Sequence, residues 1–292
     1  MSPAPAASNP ARVAKQSLTN HAASGPVRME RGDDGVATIT LDAPATRNAL
    51  TPQMLCLLAD AVKAFAQSDD LRVAIITGSG HRAFCAGGDL GRTLPLLSGA
   101  RSPEDAWDRR LLEDPEVLAA SGLRGFALHK PVIAAVNGAC LAAGFELMLG
   151  TDIRLCAEHA TFGLPEVTRA LIPFAGSIVR LPRQIPQCLA MELMLTGEPI
   201  TAARAHAAGL VNRILPAEAL MPEARRVAQV IARNGPLAVQ AVKRTAMAAS
   251  GVPLAHGLRL EDEANAAVMA SEDAREGPRA FMEKRPPSYR GR

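Results

Sequence analysis

Two carboxylates, Glu146 and Glu166, have surroundings that could make them do chemistry. Glu146 stands among Phe145, Leu147, Met148 and Leu149, and Glu166 follows the turn-forming FGLP of residues 162–165. A glutamate embedded in apolar residues either points to solvent or is held desolvated for a purpose, and the spacing leaves both readings open. A helix N-terminus would in any case stabilise Glu146. Brought together, the two could divide the work on one water molecule. One would accept the water's proton and the other would deliver a proton to carbon, because burial and like charge push paired carboxyl pKa values apart.

A second constellation is made of backbone. The loop AFCAGGDL, residues 83–90, follows a strand-like run, and paired glycines let amide N–H groups turn toward a ligand oxygen. Residues 141–144 (LAAG) open a helix whose first N–H groups have no intrahelical acceptor. Two such loops can aim amides at one oxygen, which is how an oxyanion hole is built. A thioester carbonyl that becomes enolate-like on attack at its β-carbon needs such donors, together with an acid and a base. The loop is not a dinucleotide fingerprint, since G-x-G-x-x-G from Gly78 would require glycine where Ala83 stands.

Other chemistries fail on residue types. The six histidines have no metal-ligand spacing. His81 and Cys85 lack an orienting third group, so Cys85 reads as a packing residue, and Ser177 lacks a G-x-S-x-G context. The 292 residues are 48% hydrophobic and 21% charged, with 3% aromatic residues, so the expected core is aliphatic. A net charge of +3 without basic runs argues against nucleic acid and against a membrane surface. Five separated cysteines, no apolar leader and no span-length apolar run make cytoplasmic the expected location.

The elements that must position these groups follow from periodicity. Residues 1–25 read as a disordered leader, 26–200 as an α/β core, and 201–292 as a C-terminal helical region. Strands are predicted at 36–41, 71–77, 132–136 and 153–157. A helix opens at Thr51-Pro52, with Met54, Leu57, Leu58, Ala61, Val62 and Phe65 on one face. Residues 99–116 read as a solvated, variable segment, and a helix follows to His129. Helices are also predicted over 178–195 and 202–208, then over 221–247, interrupted at Gly235-Pro236, and over 258–282. A short strand is expected within 210–215.

Taken in order, RNAL (47–50), AFCAGGDL (83–90), KPVIAAVNG (130–138), LAAGFEL (141–147), TDIRLCAEHATFGLPEV (151–167), LTGEPITAARAHAAGLVNRI (195–214) and EGPRAFMEKRPPSYRG (276–291) resemble the enoyl-CoA hydratase/isomerase, or crotonase, family from about Val27 onward. The resemblance implies a spiral of ββα units followed by a helical trimerisation region, assembled as a homotrimer or a dimer of trimers. It implies an oxyanion hole from the backbone N–H groups of Gly88 and Ala143, the latter standing where many relatives have glycine. Glu146 and Glu166 match the two acidic positions of hydratases, whereas isomerases resemble a pattern with one working carboxylate. Coenzyme A, entering as part of an acyl-CoA thioester substrate with no separate cofactor and no metal, would lie along Arg47, Ala49, Ala86, Asp89, Leu90 and Gly91. Phe281 and Lys284 would reach its nucleotide end. The implied activity is hydration of a 2-enoyl-CoA to 3-hydroxyacyl-CoA; the alternatives are a double-bond isomerase and a non-catalytic acyl-CoA-binding homologue. Phe174 stands where relatives usually carry glycine and is expected to reshape the acyl pocket.

Overall fold

The computed structural model describes residues 25–292; apart from Gly25, the expected leader lies outside the described residues. Six strands form a large sheet in the order β1 (Val27–Arg31), β2 (Val36–Leu41), β3 (Val73–Gly78), β5 (Val132–Val136), β7 (Ile153–Ala157) and β10 (Arg213–Leu215). Only the β1–β2 pair is antiparallel. Parallel strands covered on both faces should be apolar throughout, and side chains along them alternate between two cores. Along β5, Val132, Ala134 and Val136 enter one core while Ile133 and Ala135 enter the other.

Helix α1 (Pro52–Gln67) fills the first core with Met54, Leu58, Val62 and Phe65. Thr51 caps it as expected, its hydroxyl accepting from the Met54 N–H at 3.2 Å. Helix α9 (Ala217–Ala232) covers the other face through Leu220, Ala224, Ala228 and Ala232, a small-residue stripe at helical spacing. Residues on both sides of position 200 therefore share the large sheet, since β10 pairs with β7.

A smaller sheet carries the chemistry-bearing loops, in the order β4 (Ala83–Cys85), β6 (Ala139–Leu141), β8 (Thr161–Gly163), β9 (Ile200–Thr201). The chain passes from β3 to β4, from β5 to β6 and from β7 to β8, each time from the large sheet into the small one. Strands β4, β6 and β8 are parallel, so the segments leaving them emerge at one edge.

Several expected elements are corrected. The helix predicted over 178–195 is two, α6 (Ser177–Gln184) and α7 (Gln187–Thr196), broken before Pro186, which has no N–H to donate and restricts Ile185. The stretch 258–282 divides into α11 (Leu254–Met269) and α12 (Glu272–Met282), where the Ser271 hydroxyl caps the second by accepting from Ala274 N–H. α10 (Pro236–Ala249) begins at the predicted interruption. The helix expected to reach His129 is α4 (Pro115–Ser121), ended by Gly122 and a left-handed Leu123. The 99–116 segment is not simply solvated. Asp108, in α3 (Ala106–Glu113), is fully buried and receives both terminal nitrogens of Arg101 and the Glu104 N–H, while Asp105 caps the helix. A short helix, α2 (Thr93–Leu97), lies between this segment and the glycine loop.

Candidate active site

The glycine loop leaving β4 is pinned on both sides of Gly88. Leu50 N–H donates to Gly87 O at 2.8 Å, and Asp89 N–H donates to Leu50 O at 3.0 Å. This bridge occupies the groups flanking Gly88 N–H and leaves that amide without a backbone acceptor. Gly87 is at φ 107, and a Cβ there would lie 2.7 Å from Ala142 Cβ, so the close approach of this loop to the segment leaving β6 requires glycine.

That segment turns into α5 (Ala143–Leu149) through Ala142, held at φ 50, ψ −129, a conformation strained for an alanine. Ala143 has no positive φ, so a Cβ is tolerated there, and as the first helical residue its N–H has no intrahelical acceptor. A Cβ added to Gly144 would meet Cys85 Cβ at 2.5 Å, which seats the first turn of α5 directly on β4. Burial pushes the Cys85 thiol up to about 12, in keeping with a packing role. The far end of α5 is held by Arg154, whose guanidinium donates to Leu149 O and Thr151 O.

Glu146, in the first turn of α5, is 2% exposed. Its Oε1 accepts from Ala175 N–H at 2.7 Å, from Ser177 N–H at 3.3 Å and from the Ser177 hydroxyl at 2.8 Å. Glu166 lies in the 3₁₀ turn Pro165–Arg169 that follows β8, and its Oε2 is buried with no partner. Desolvation first, and the neighbouring charge of Glu146 in addition, push the Glu166 carboxyl up to about 7. One carboxylate is thus anchored through one oxygen, and the other holds a proton near neutral pH. The half-buried Arg180 also lies within electrostatic range of Glu146 and donates to Leu123 O.

The loop bearing Gly88 lies against the segment bearing Ala143, through Gly87 and Ala142, and Glu146 is within electrostatic range of Glu166. Arg47, exposed and at φ 56, accepts Ala86 N–H at its carbonyl and lines a cleft of about 190 Å³ with His81 and Arg82. Ala49, Ala86 and Asp89 are half-buried, and Leu90 and Gly91 are exposed. Asp89 ties the loop by accepting from Gly91 and Arg92 N–H groups. Phe281 (82% exposed) and Lys284 form no hydrogen bond with this segment within the chain. Phe174 is 52% exposed, and the chain beyond it delivers the Ala175 and Ser177 amides to Glu146.

Three residues that matter here escaped the sequence reading. Buried Asn48 accepts from Ala43 N–H and donates to the carbonyls of Ser79, Ala83 and Phe84, tying RNAL to β4. Asn137 accepts from Gly78 N–H and donates to Gly80 O and Ala83 O across the same junction. Ser177, which lacks a nucleophile's sequence context, donates to Glu146 through its amide and its hydroxyl. The available signal is an asparagine in the turn of RNAL for the first, held at φ 56, and an asparagine directly after β5 for the second; nothing local marks the third.

The profile of the Enoyl-CoA hydratase/isomerase family matches residues 31–292. The chain is 38% identical over 269 residues to Enoyl-CoA hydratase EchA19 of Mycobacterium tuberculosis, covering 92% of this chain and 98% of that one. It is 38% identical to the carnitinyl-CoA dehydratase of Proteus mirabilis, over 88% of this chain and 95% of that one. The crystal structure of an enoyl-CoA hydratase from Bacillus anthracis superposes with a TM-score of 0.82 at 35% identity, covering 92% of this chain and 100% of the other.

Proposed function

We infer the mechanism from the premise that this chain belongs to the enoyl-CoA hydratase/isomerase family and is a lyase of the hydratase kind, with the crotonase fold. The substrate is an acyl-CoA thioester. In the proposed reaction, the N–H groups of Gly88 and Ala143 donate to the thioester oxygen and stabilise the charge that develops when C3 is attacked. Glu146, with Oε1 taken by three donors, presents Oε2 to water and accepts its proton. Glu166 delivers a proton to C2. The product is a 3-hydroxyacyl-CoA, and no dissociable cofactor or metal is called for. The observation that carries this reading is the contrast between the two carboxyls, one saturated with donors at one oxygen and the other desolvated with its Oε2 unpartnered. An isomerase, moving one proton between carbons, would have no use for the second carboxylate.

Arg47, Ala49, Ala86 and residues 89–91 are proposed to carry the coenzyme A moiety, Arg47 meeting phosphate, with Phe281 and Lys284 reaching in from a neighbouring subunit. Helix α11 supports a trimer, singly or paired: its 16 residues include none that is buried, yet Leu254 and Leu258 are on its surface. Five unpaired cysteines support a reducing, cytoplasmic setting, and no helix among the described residues is long and apolar enough to cross a membrane. The deciding experiment is hydration of 2-enoyl-CoA in ¹⁸O-water. Wild type should place ¹⁸O at C3, and Glu146→Gln and Glu166→Gln should each lose roughly 10²–10⁴-fold in kcat. Double-bond migration without label would replace the hydratase reading with the isomerase, and binding without turnover of any chain length would leave an acyl-CoA-binding protein.

A further inference from the structure

Ser177 is wholly buried at the start of α6, and its hydroxyl proton is committed to Glu146 Oε1 at 2.8 Å. Gly176, at φ 116, turns the chain so that the Ser177 amide and hydroxyl converge on that one oxygen. Of the two amides there, Ala175 N–H is at 2.7 Å and Ser177 N–H only at 3.3 Å. A single short hydrogen bond leaves a carboxylate free to rotate about Cγ–Cδ; two short ones from different groups do not. The hydroxyl is the only side-chain donor to Glu146 among the described residues.

We propose that Ser177 is a positioning residue for hydration: its hydroxyl fixes the rotation of the Glu146 carboxylate so that Oε2, with no donor of its own, faces the attacking water. The proposal rests on the reading of Glu146 as the base. It also gives Ser177 a role other than nucleophile, since its hydroxyl is wholly buried and serves as a donor to the Glu146 carboxylate. A hydrogen bond to a carboxylate, lost from an oriented catalytic group, corresponds to a rate loss of about ten- to a hundredfold.

The test is a double-mutant cycle on the full-length enzyme, with a straight-chain 2-enoyl-CoA that wild type hydrates. Ser177→Ala should lower kcat about ten- to a hundredfold with KM within about twofold, in a protein whose thermal unfolding remains cooperative. Ser177→Gly, which removes the same hydroxyl and leaves nothing to overpack the site, should lose the same factor, and Ser177→Thr, which keeps a hydroxyl, should recover part of it. In the Glu146→Gln background the Ser177→Ala change should cost less than about twofold more, because the group it orients is gone. A merely structural serine would cost the same factor in both backgrounds, and that result, or wild-type kcat in Ser177→Ala beside an inactive Glu146→Gln, overturns the proposal. Full activity in Glu146→Gln would instead remove the base assignment itself, a separate outcome of the same cycle.

Discussion

In the proposed mechanism, the proton on Glu166 sets the pH behaviour of the site. A carboxyl raised to about 7 in the free enzyme is ionised above that pH, and kcat/KM for hydration should then fall about tenfold per unit. Hydration neither consumes nor releases a proton overall, so its equilibrium constant is independent of pH, and dehydration of the 3-hydroxyacyl-CoA must show the same limb. Initial rates measured in both directions between pH 6 and 9 check this, and a flat profile to pH 9 would remove Glu166 as the proton donor. Stability carries the same signature. Because the native pKa lies above the ordinary 4.5, the folded state holds a proton that the unfolded chain has lost between pH 4.5 and 7. Stability from this group therefore declines as pH rises through that window and is lowest above it. Glu166→Gln should be the more stable protein at pH 8, by on the order of 1 kcal/mol after solvent screening, with the gap closing toward pH 4.5 in denaturant titrations.

Among the elements, α5 carries most of the proposed mechanism, since its first N–H and its first-turn carboxylate are both proposed to serve one substrate. Proline suits the first position of a helix and has no N–H. Ala143→Pro should consequently keep the fold by circular dichroism while kcat falls about 10²–10³-fold, the cost of losing one oxyanion donor. Activity within twofold of wild type would exclude that amide from the site. The α2–α3 segment depends on a different device, the buried Asp108 carboxylate, which Arg101 hydrogen bonding holds down to about 2. A depressed pKa stabilises above the ordinary value and is lost on acidification, so this segment should loosen between about pH 4 and 2. Asp108→Asn should show the same loosening at neutral pH, seen as faster amide exchange confined to residues 92–114, with exchange in the large sheet unchanged.

At the scale of the whole molecule, the C-terminal helices expose several large apolar side chains. Val242, Leu254, Met269, Phe281 and Met282 are each more than 60% exposed. Such a surface on helices with few buried residues fits burial between subunits, so sedimentation should give about three or six times the 30.6 kDa protomer. Val242→Glu combined with Leu254→Glu should shift the distribution toward monomer and raise KM for acyl-CoA, because Phe281 and Lys284 are proposed to act across that interface. A monomeric wild type, or an unchanged KM in the dissociated variant, would place the nucleotide contacts within a single chain.

Residue types and periodicity alone determined much of this protein. β5 was legible as an apolar run, α1 from Thr51-Pro52 and its apolar stripe, and both glutamates from being acidic in apolar surroundings, because strand burial, capping and the cost of a lone buried charge are local properties. The charged run at 99–116 is mostly exposed, as charge implies, but Asp108 within it is buried, because it finds Arg101 once the chain folds back. The tertiary structure alone decided how the two glutamates differ. Their residue type is identical, yet Glu146 receives donors from 29 and 31 positions along the chain, while Glu166 is left desolvated with an empty oxygen. Hydrogen-bond partners and desolvation are properties of the packed surroundings, and no window of sequence around either residue contains them.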